Sequence, residues 1–364
     1  VYTLDESRIE FLKEICEEFG PPGFETRVLR KIYEYAKPYA DEIKRDQLGS
    51  FIFVKKGSKE SPKILVAGHV DEVGFIATSI TKEGYITFHP LGGWFSQVLL
   101  GQRVVIMGNK GPVIGVIASK PPHLLRPEER DKVIKIRDMF IDVGATSEKE
   151  VKEMGIRIGD PIAPWSPFMK SSQGKTYMGK AFDDRLGAFV AVEVLRYLKE
   201  ANIDHPNTYY AAATVQEEVG LRGATTVGWV AEHDIAIIVE VDIAGDVPGI
   251  KPQEAPTKLG KGPSIVTFDA SMIPNQKLKE FVIQVAEEAK IPYQLSVVPG
   301  GGTDAGRLHL YKEGRPSIVI GVPTRHIHSH VGVFHRDDLE NAVRLIAEII
   351  KRLDEEKVKE FTSI

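Results

Sequence analysis

The chain has 364 residues, enough for a large buried core and for more than one domain. A hydrophobic fraction of 42%, a charged fraction of 27% and a net charge of -4 give no basis for binding nucleic acid or an anionic membrane. The single cysteine, Cys16, excludes an intrachain disulfide, and no apolar run reaches the ~18 residues of a membrane-spanning helix.

The opening stretch VYTLDESRIEFLKEI is acidic and amphipathic and lacks the basic start and apolar core of a secretory signal, so a cytoplasmic protein is expected. Helices are predicted near residues 5–19 and from about Glu25 toward Pro38, the first ended by Gly20-Pro21-Pro22-Gly23. Cys16 falls in the apolar pattern of the first helix with Ile9, Leu12 and Phe19, as a buried structural thiol would. Strands follow at Ser50 to Val54 and at KILVAG, Lys63 to Gly68, whose unbroken apolar run fits a strand covered on both faces. From residue 74 to 165 the texture changes to short strand-like runs (GFIATSI, YITFHP, RVVIMG, PVIGVIAS) bounded by turn residues. Within it KPPHLLRPEERDK, polar and rich in proline, reads as a mobile loop.

Beyond residue 176 helix and strand patterns alternate again. A helix follows Asp183-Asp184, the strand YYAAATV leads into Glu217-Glu218, and DIAIIVEV carries Glu240 and leads to Asp242. A helix over about Gln276 to Lys290, a buried strand PSIVIGVP and a long amphipathic helix from about Asp337 complete the chain. These patterns predict an α/β fold, an open and largely parallel sheet with helices on both faces, made from residues 1–73 plus 166–364. Residues 74–165 form a small β-rich domain inserted into it.

The ends of these strands carry the chemistry. His69 follows KILVAG, Glu217-Glu218 follow YYAAATV, and Glu240 ends DIAIIV. In open α/β sheets the site lies at the carboxyl ends of the strands. Adding Asp183 and a histidine from His326-x-His328-x-His330 gives imidazoles and carboxylates suited to zinc, cobalt or manganese rather than calcium or magnesium. Two divalent ions, three carboxylates (Asp183, Glu218, Glu240) and one hydroxide balance to zero charge. Without ions the same carboxylates would repel one another and take up protons. A pair of ions ~3.5–4 Å apart polarises a carbonyl and lowers the pKa of a shared water. Glu217, diverging from Glu218, is free to act as general base. Asp71 lies on the same side of an extended segment as His69 and is placed to accept its other ring N–H.

Each residue also has a plain structural reading. Asp183 or Asp184 can cap a helix, and a Glu-Glu pair can be solvated surface. In a strand the three histidines would share one face, and spacing does not choose among them. Gly300-Gly301-Gly302 lacks the lysine of a phosphate loop and reads as a pocket wall approached closely by backbone. No nucleophile elbow, dinucleotide fingerprint or H-E-x-x-H motif is present.

The ordered motifs PPGFE, LVAGHVDEVGF, PLGGW, KPPH, AFDDR, TVQEEVGLRGA, DIAGDVPG, LGKGP, PYQL, GGGTDAG and IHSH span nearly the whole chain. They resemble the tetrahedral (TET) aminopeptidases, zinc- or cobalt-dependent enzymes related to glutamyl and deblocking aminopeptidases, some of which carry an endoglucanase label. The resemblance implies His69 and Glu240 on one metal, Glu218 and His328 on the other, Asp183 bridging, Glu217 as catalytic base and Asp71 orienting His69. It selects His328 from the triplet. It also implies that the inserted domain makes dimers and that six dimers form a hollow dodecamer. Glu240 stands where many relatives have Asp, which leaves Asp242 as an alternative ligand. Arg307 stands where many have a small residue, and there it is a candidate partner for an acidic substrate side chain. The expected activity is removal of N-terminal residues from peptides. The alternatives are another two-metal amide hydrolase (an N-acyl deacylase or carboxypeptidase) or a peptide-binding shell without catalysis.

Overall fold

The computed structural model describes residues 1–364 as an eleven-stranded mixed sheet with helices on both faces and a separate closed barrel of six strands. Four strands at the centre of the sheet, Thr208–Thr214, Lys63–His69, Ile235–Ile243 and Ser317–Arg325, run parallel in that spatial order. The expectation of a largely parallel sheet describes this centre. The margins are antiparallel, because short links such as those joining Glu42–Arg45 to Phe51–Lys56 and Ser317–Arg325 to Gly332–His335 leave no room for a crossover. Strand Ser264–Asp269 adds a branch, antiparallel to Ser317–Arg325 and parallel to Gln294–Val298.

Alternation along the strands explains the two layers of core. Ile64 and Val66 point into a cluster shared with helices Glu6–Glu17, Thr26–Ala36, Phe182–Glu200, Gln276–Glu288 and Arg336–Arg352. Leu65 and Ala67, one residue out of phase, point into a smaller cluster under helices Arg222–Ala231 and Ala305–Leu308. The C-terminal helix is shorter than its pattern suggested. It stops at Arg352, and Asp354 caps a new helix, Glu355–Phe361.

Helix Phe182–Glu200 is pressed against the sheet at two glycines. A Cβ on Gly68 would stand 2.2 Å from the Ala188 nitrogen, and one on Gly187 would stand 2.0 Å from the Val239 carbonyl oxygen. Close approach here brings the start of the helix over the ends of strands Lys63–His69 and Ile235–Ile243.

The barrel follows directly from the segment after His69. Its strands close in the order Gly74–Ile80, Tyr85–Leu91, Phe140–Asp142, Gly111–Ala118, Arg103–Gly108 and Pro161–Pro164. Phe75, Phe88, Ile106, Ile117, Ile141 and Ile162 fill it. The stretch after residue 120 winds through the short 3₁₀ turns Pro122–Leu124, Pro127–Glu129 and Ile136–Asp138 rather than through regular helix. No helix is long and apolar enough to cross a membrane.

Candidate metal centre

His69 is the last residue of its strand and lies almost completely buried. Its Nε2 stands 3.1 Å from Asp183 Oδ1, 3.2 Å from Glu240 Oε1, 3.3 Å from Glu217 Oε2 and 3.7 Å from Glu218 Oε1. The other oxygen of Asp183 faces a second imidazole, with His328 Nε2 at 2.9 Å, and His328 is 3.3 Å from Glu218 Oε2. Asp183 therefore lies between two imidazoles, with Glu240 on one side and Glu218 on the other.

Buried hydrogen bonds hold this arrangement. Asp184, buried beneath Asp183, accepts the backbone N–H of His69 on Oδ2 and that of Gly187 on Oδ1, both at 3.1 Å. It caps the helix as its sequence position suggests and also ties that helix to the His69 strand. The Asp71 carboxylate accepts the backbone N–H groups of Glu217 and Glu218 at 3.0 and 2.9 Å. Nδ1 of His69 is 3.0 Å from the Asp71 carbonyl oxygen and 3.3 Å from its Oδ1. Asp71 thus contacts the backbone of both glutamates as well as the histidine ring.

A second buried group was not foreseen. Glu72 is 2.7 Å from Lys180 Nζ and 3.0 Å from Arg185 Nη2. Arg185 also donates from Nε to the Val70 carbonyl at 2.8 Å. Both cations flank Asp183 in sequence, so the triad locks that turn to the segment after His69. In the sequence these three charges stand among the others of GKAFDDR and HVDEVG, so none of them is marked out as buried.

The histidine triplet forms a turn rather than a strand. His326 and His328 have φ of 58° and 56°, in the left-handed region, so their side chains do not share a face. His326 is exposed, and His330 donates from Nε2 to the Arg103 carbonyl in the barrel at 2.7 Å. Only His328 reaches the carboxylates. Glu240, not Asp242, meets His69. The Asp242 Oδ2 instead accepts the Ser264 hydroxyl at 2.7 Å. Arg307 is exposed on the short helix Ala305–Leu308 and does not line the cavity beside the cluster, which corrects its assignment as a pocket residue.

That cavity has a volume of about 440 Å³, and Asp183, Glu217, Glu218, Glu240 and His328 line it. Burial opposes charge on His69, but Glu217, Glu240 and Asp71 hold its imidazolium well above its ordinary range. Burial also opposes charge on His328, which Asp183 and Glu218 nevertheless raise to about 11. Burial lifts Glu218 to about 7, with repulsion from Asp183 adding to the shift. It lifts Glu240 to about 8 against the pull of His69. Burial likewise raises Glu217 well above the usual carboxylate range, against His69 and with Glu218 adding to it. Asp183 goes the other way despite its burial, because it accepts from both imidazoles. Protons and imidazolium charge are all that the chain itself sets among these carboxylates.

Those conditions fit divalent ions. Donor atoms of His69, Asp183 and Glu240 lie within 4.8 Å of one another, as do those of Asp183, Glu218 and His328. A third such group, His69 with Glu217 and Glu218, competes for the same imidazole nitrogen. Nitrogen and carboxylate donors at this spacing suit zinc-like ions, and the two sets that share Asp183 leave Glu217 without a ligand role.

A sheet edge that gathers such donors at the mouth of a cavity defines a metal-dependent hydrolase. Residues 49–345 match the M42 glutamyl aminopeptidase family, and the chain belongs to that family of metal-dependent aminopeptidases. It is 35% identical to the lysyl aminopeptidase of Pyrococcus furiosus over 348 residues, covering 94% of this chain and 97% of the relative. Its structure superposes on the TET aminopeptidase of Thaumarchaeota archaeon SCGC AB-539-E09 with a TM-score of 0.97 and 61% identity, covering 98% of this chain and 100% of the other. The Pyrococcus horikoshii TET1 peptidase, which can assemble into a tetrahedron or a large octahedral shell, superposes with a TM-score of 0.84 and 32% identity over 95% of this chain and 100% of its own.

Proposed function

We propose that this chain removes residues from peptide N-termini at the His69–Asp183–His328 cluster. Two divalent ions, zinc or cobalt, would find ligands in His69, Asp183 and Glu240 and in Asp183, Glu218 and His328. Such ions, when bound, polarise the scissile carbonyl and make water acidic enough to attack at neutral pH. Glu217 takes the proton released by the attacking water at a carboxylate oxygen and delivers it to the departing amine nitrogen. Asp71 holds Glu217 and Glu218 at fixed positions through their backbone N–H groups. Asp184 and the Glu72–Lys180–Arg185 triad hold Asp183 and His69 together. The carrying observation is the placement of Asp183, whose two oxygens face two different imidazoles.

A preference for an acidic first residue would need a cation in the cavity, and its lining contains no Lys or Arg. The cavity therefore offers an acidic first side chain no partner. The chain also assembles with copies of itself, by way of a dimerisation domain at residues 74–165 and up to a dodecamer. The barrel exposes Phe95, Ile114 and Ile158, and the TET1 relative can assemble into a tetrahedron or a large octahedral shell. The lone cysteine keeps the cytoplasm as the proposed compartment.

Digestion of a defined peptide mixture after loading with zinc or cobalt, read by mass spectrometry, tests the reaction. Ladders shortened from the N-terminus, abolished by a chelator, are expected. Ladders from the C-terminus, release of acyl groups only, or cleavage that survives chelation would replace this reading. Light scattering tests the assembly, and a monomer at micromolar concentration would contradict it.

A further inference from the structure

The cavity beside the metal cluster is acidic beyond its metal ligands. Once Asp183, Glu218, Glu240 and His328 are assigned to metals and Glu217 to proton transfer, the charged side chains left in its lining are Asp242 and Asp269. The two are not equivalent. Asp269 Oδ1 accepts the backbone N–H groups of Ser271 and Met272 and the Ser271 hydroxyl, and Thr303 donates to its Oδ2 at 3.3 Å. It is committed to its own turn. Asp242 is 4% exposed and pairs with no Lys or Arg; the Ser264 hydroxyl donates to its Oδ2 at 2.7 Å, and the Ser296 side chain and the Ile243 backbone also lie beside its carboxylate.

Strand geometry puts Asp242 on the same side as Glu240. The two are separated by one residue in strand Ile235–Ile243 and so lie on one face, with Asp242 further toward the carboxyl end. The rest of this wall is aliphatic, with Val266, Val298 and Val319 among the lining residues. A wall of valines beside the Asp242 carboxylate, with no Lys or Arg in the lining, matches a side chain that has an apolar stem and a cationic head.

We propose that Asp242 is a specificity residue that selects a lysine or arginine at the substrate N-terminus. The inference rests on the aminopeptidase reading and adds the class of first residue to it. The stem of the first side chain packs along the valines, and its ammonium or guanidinium group donates to the Asp242 carboxylate. A charge-assisted hydrogen bond of this kind is worth roughly 10- to 100-fold in affinity.

The test compares kcat/KM for fluorogenic amides of Lys, Arg, Leu and Glu, using wild type and Asp242→Asn with their metal content measured alongside. Wild type is expected to favour Lys and Arg over Leu, and the Lys-to-Leu ratio is expected to fall at least about tenfold in Asp242→Asn. A wild type that prefers Leu or Glu, or a variant that keeps the Lys-to-Leu ratio, overturns the assignment and leaves the aminopeptidase reading intact. Failure to release any of the four residues overturns both. Inhibition of the wild type by free lysine and by norleucine, which lacks only the terminal amine, gives a check that needs no variant. Lysine should inhibit at a concentration at least about tenfold lower, and equal inhibition by the two also overturns the assignment.

Discussion

Oδ1 of Asp71 accepts the backbone N–H of Glu217 at 3.0 Å, so the residue assigned as proton acceptor is positioned from the segment that follows His69. The second oxygen takes the Glu218 N–H at 2.9 Å, and Asp71 is completely buried. Asparagine offers one acceptor oxygen and places an NH₂ against the other N–H, leaving a buried donor unsatisfied. Asp71→Asn is therefore expected to lower kcat/KM about 10- to 100-fold. Steady-state kinetics with metal analysis checks this. Unchanged kinetics would show that the two glutamates hold their positions without the carboxylate.

Glu217 is the carboxylate left over when two sets of ligands share Asp183. Glu217→Gln keeps the size of the side chain and an oxygen to face His69 Nε2, but it removes the proton acceptor. The expected result is a fall in kcat of about 10²- to 10⁴-fold, with metal content and KM little changed. Turnover near that of wild type would place the base elsewhere. Loss of metal along with activity would return Glu217 to the ligand set, as its 3.3 Å approach to His69 permits.

Gly187 sets the height of helix Phe182–Glu200 above the sheet. A Cβ there would meet the Val239 carbonyl oxygen at 2.0 Å, a backbone atom that cannot swing aside. Gly187→Ala must lift the start of the helix and move Asp183 and Asp184 away from His69 and Glu240. Overpacking of this kind costs about 1–3 kcal/mol. A lower melting temperature and reduced metal retention after dialysis are expected together. If only the melting temperature falls, the metal ligands do not depend on helix height.

Much of this site is legible in the sequence, for a physical reason. A carboxylate or imidazole at the end of an unbroken apolar strand is costly unless it has a partner, so His69, Glu217-Glu218 and Glu240 stand out individually. What brings them together is less visible. Gly68 and Gly187 look like ordinary glycines until the helix is laid on the strand. Glu72, Lys180 and Arg185 pair across distant segments, and no local pattern announces such a pairing. The histidine triplet misleads in the other direction, because its alternate spacing suggests a strand face that left-handed φ values at His326 and His328 abolish. Arg307 shows the limit of composition alone, since a cation near a glycine-rich wall turned out to lie outside the cavity that the wall encloses.

His233 supplies a pH dependence that is independent of metal. It is completely buried beyond helix Arg222–Ala231, stacked on Tyr311 with ring centroids 5.2 Å apart, and donates from Nε2 to the Leu308 carbonyl at 3.0 Å. Its Nδ1 is buried without a hydrogen-bond partner, so a proton there would create an unsatisfied charged donor. Burial pushes the imidazole down to about 4 from an ordinary value of 6.5. Above pH 6.5 both folded and unfolded chains hold it neutral, and the stabilisation is complete. Between pH 6.5 and 4 only the unfolded chain takes up the proton, so stability falls as the pH falls. Below 4 the folded protein takes it up as well and the loss levels off. Over that window the group contributes a loss of about 3 kcal/mol. His233→Gln keeps a donor for Leu308 and cannot titrate. Its denaturant-unfolding free energy is expected to fall less steeply than wild type between pH 6.5 and 4, by up to about the same 3 kcal/mol. Parallel curves for the two proteins would mean that His233 takes up its proton equally in both states.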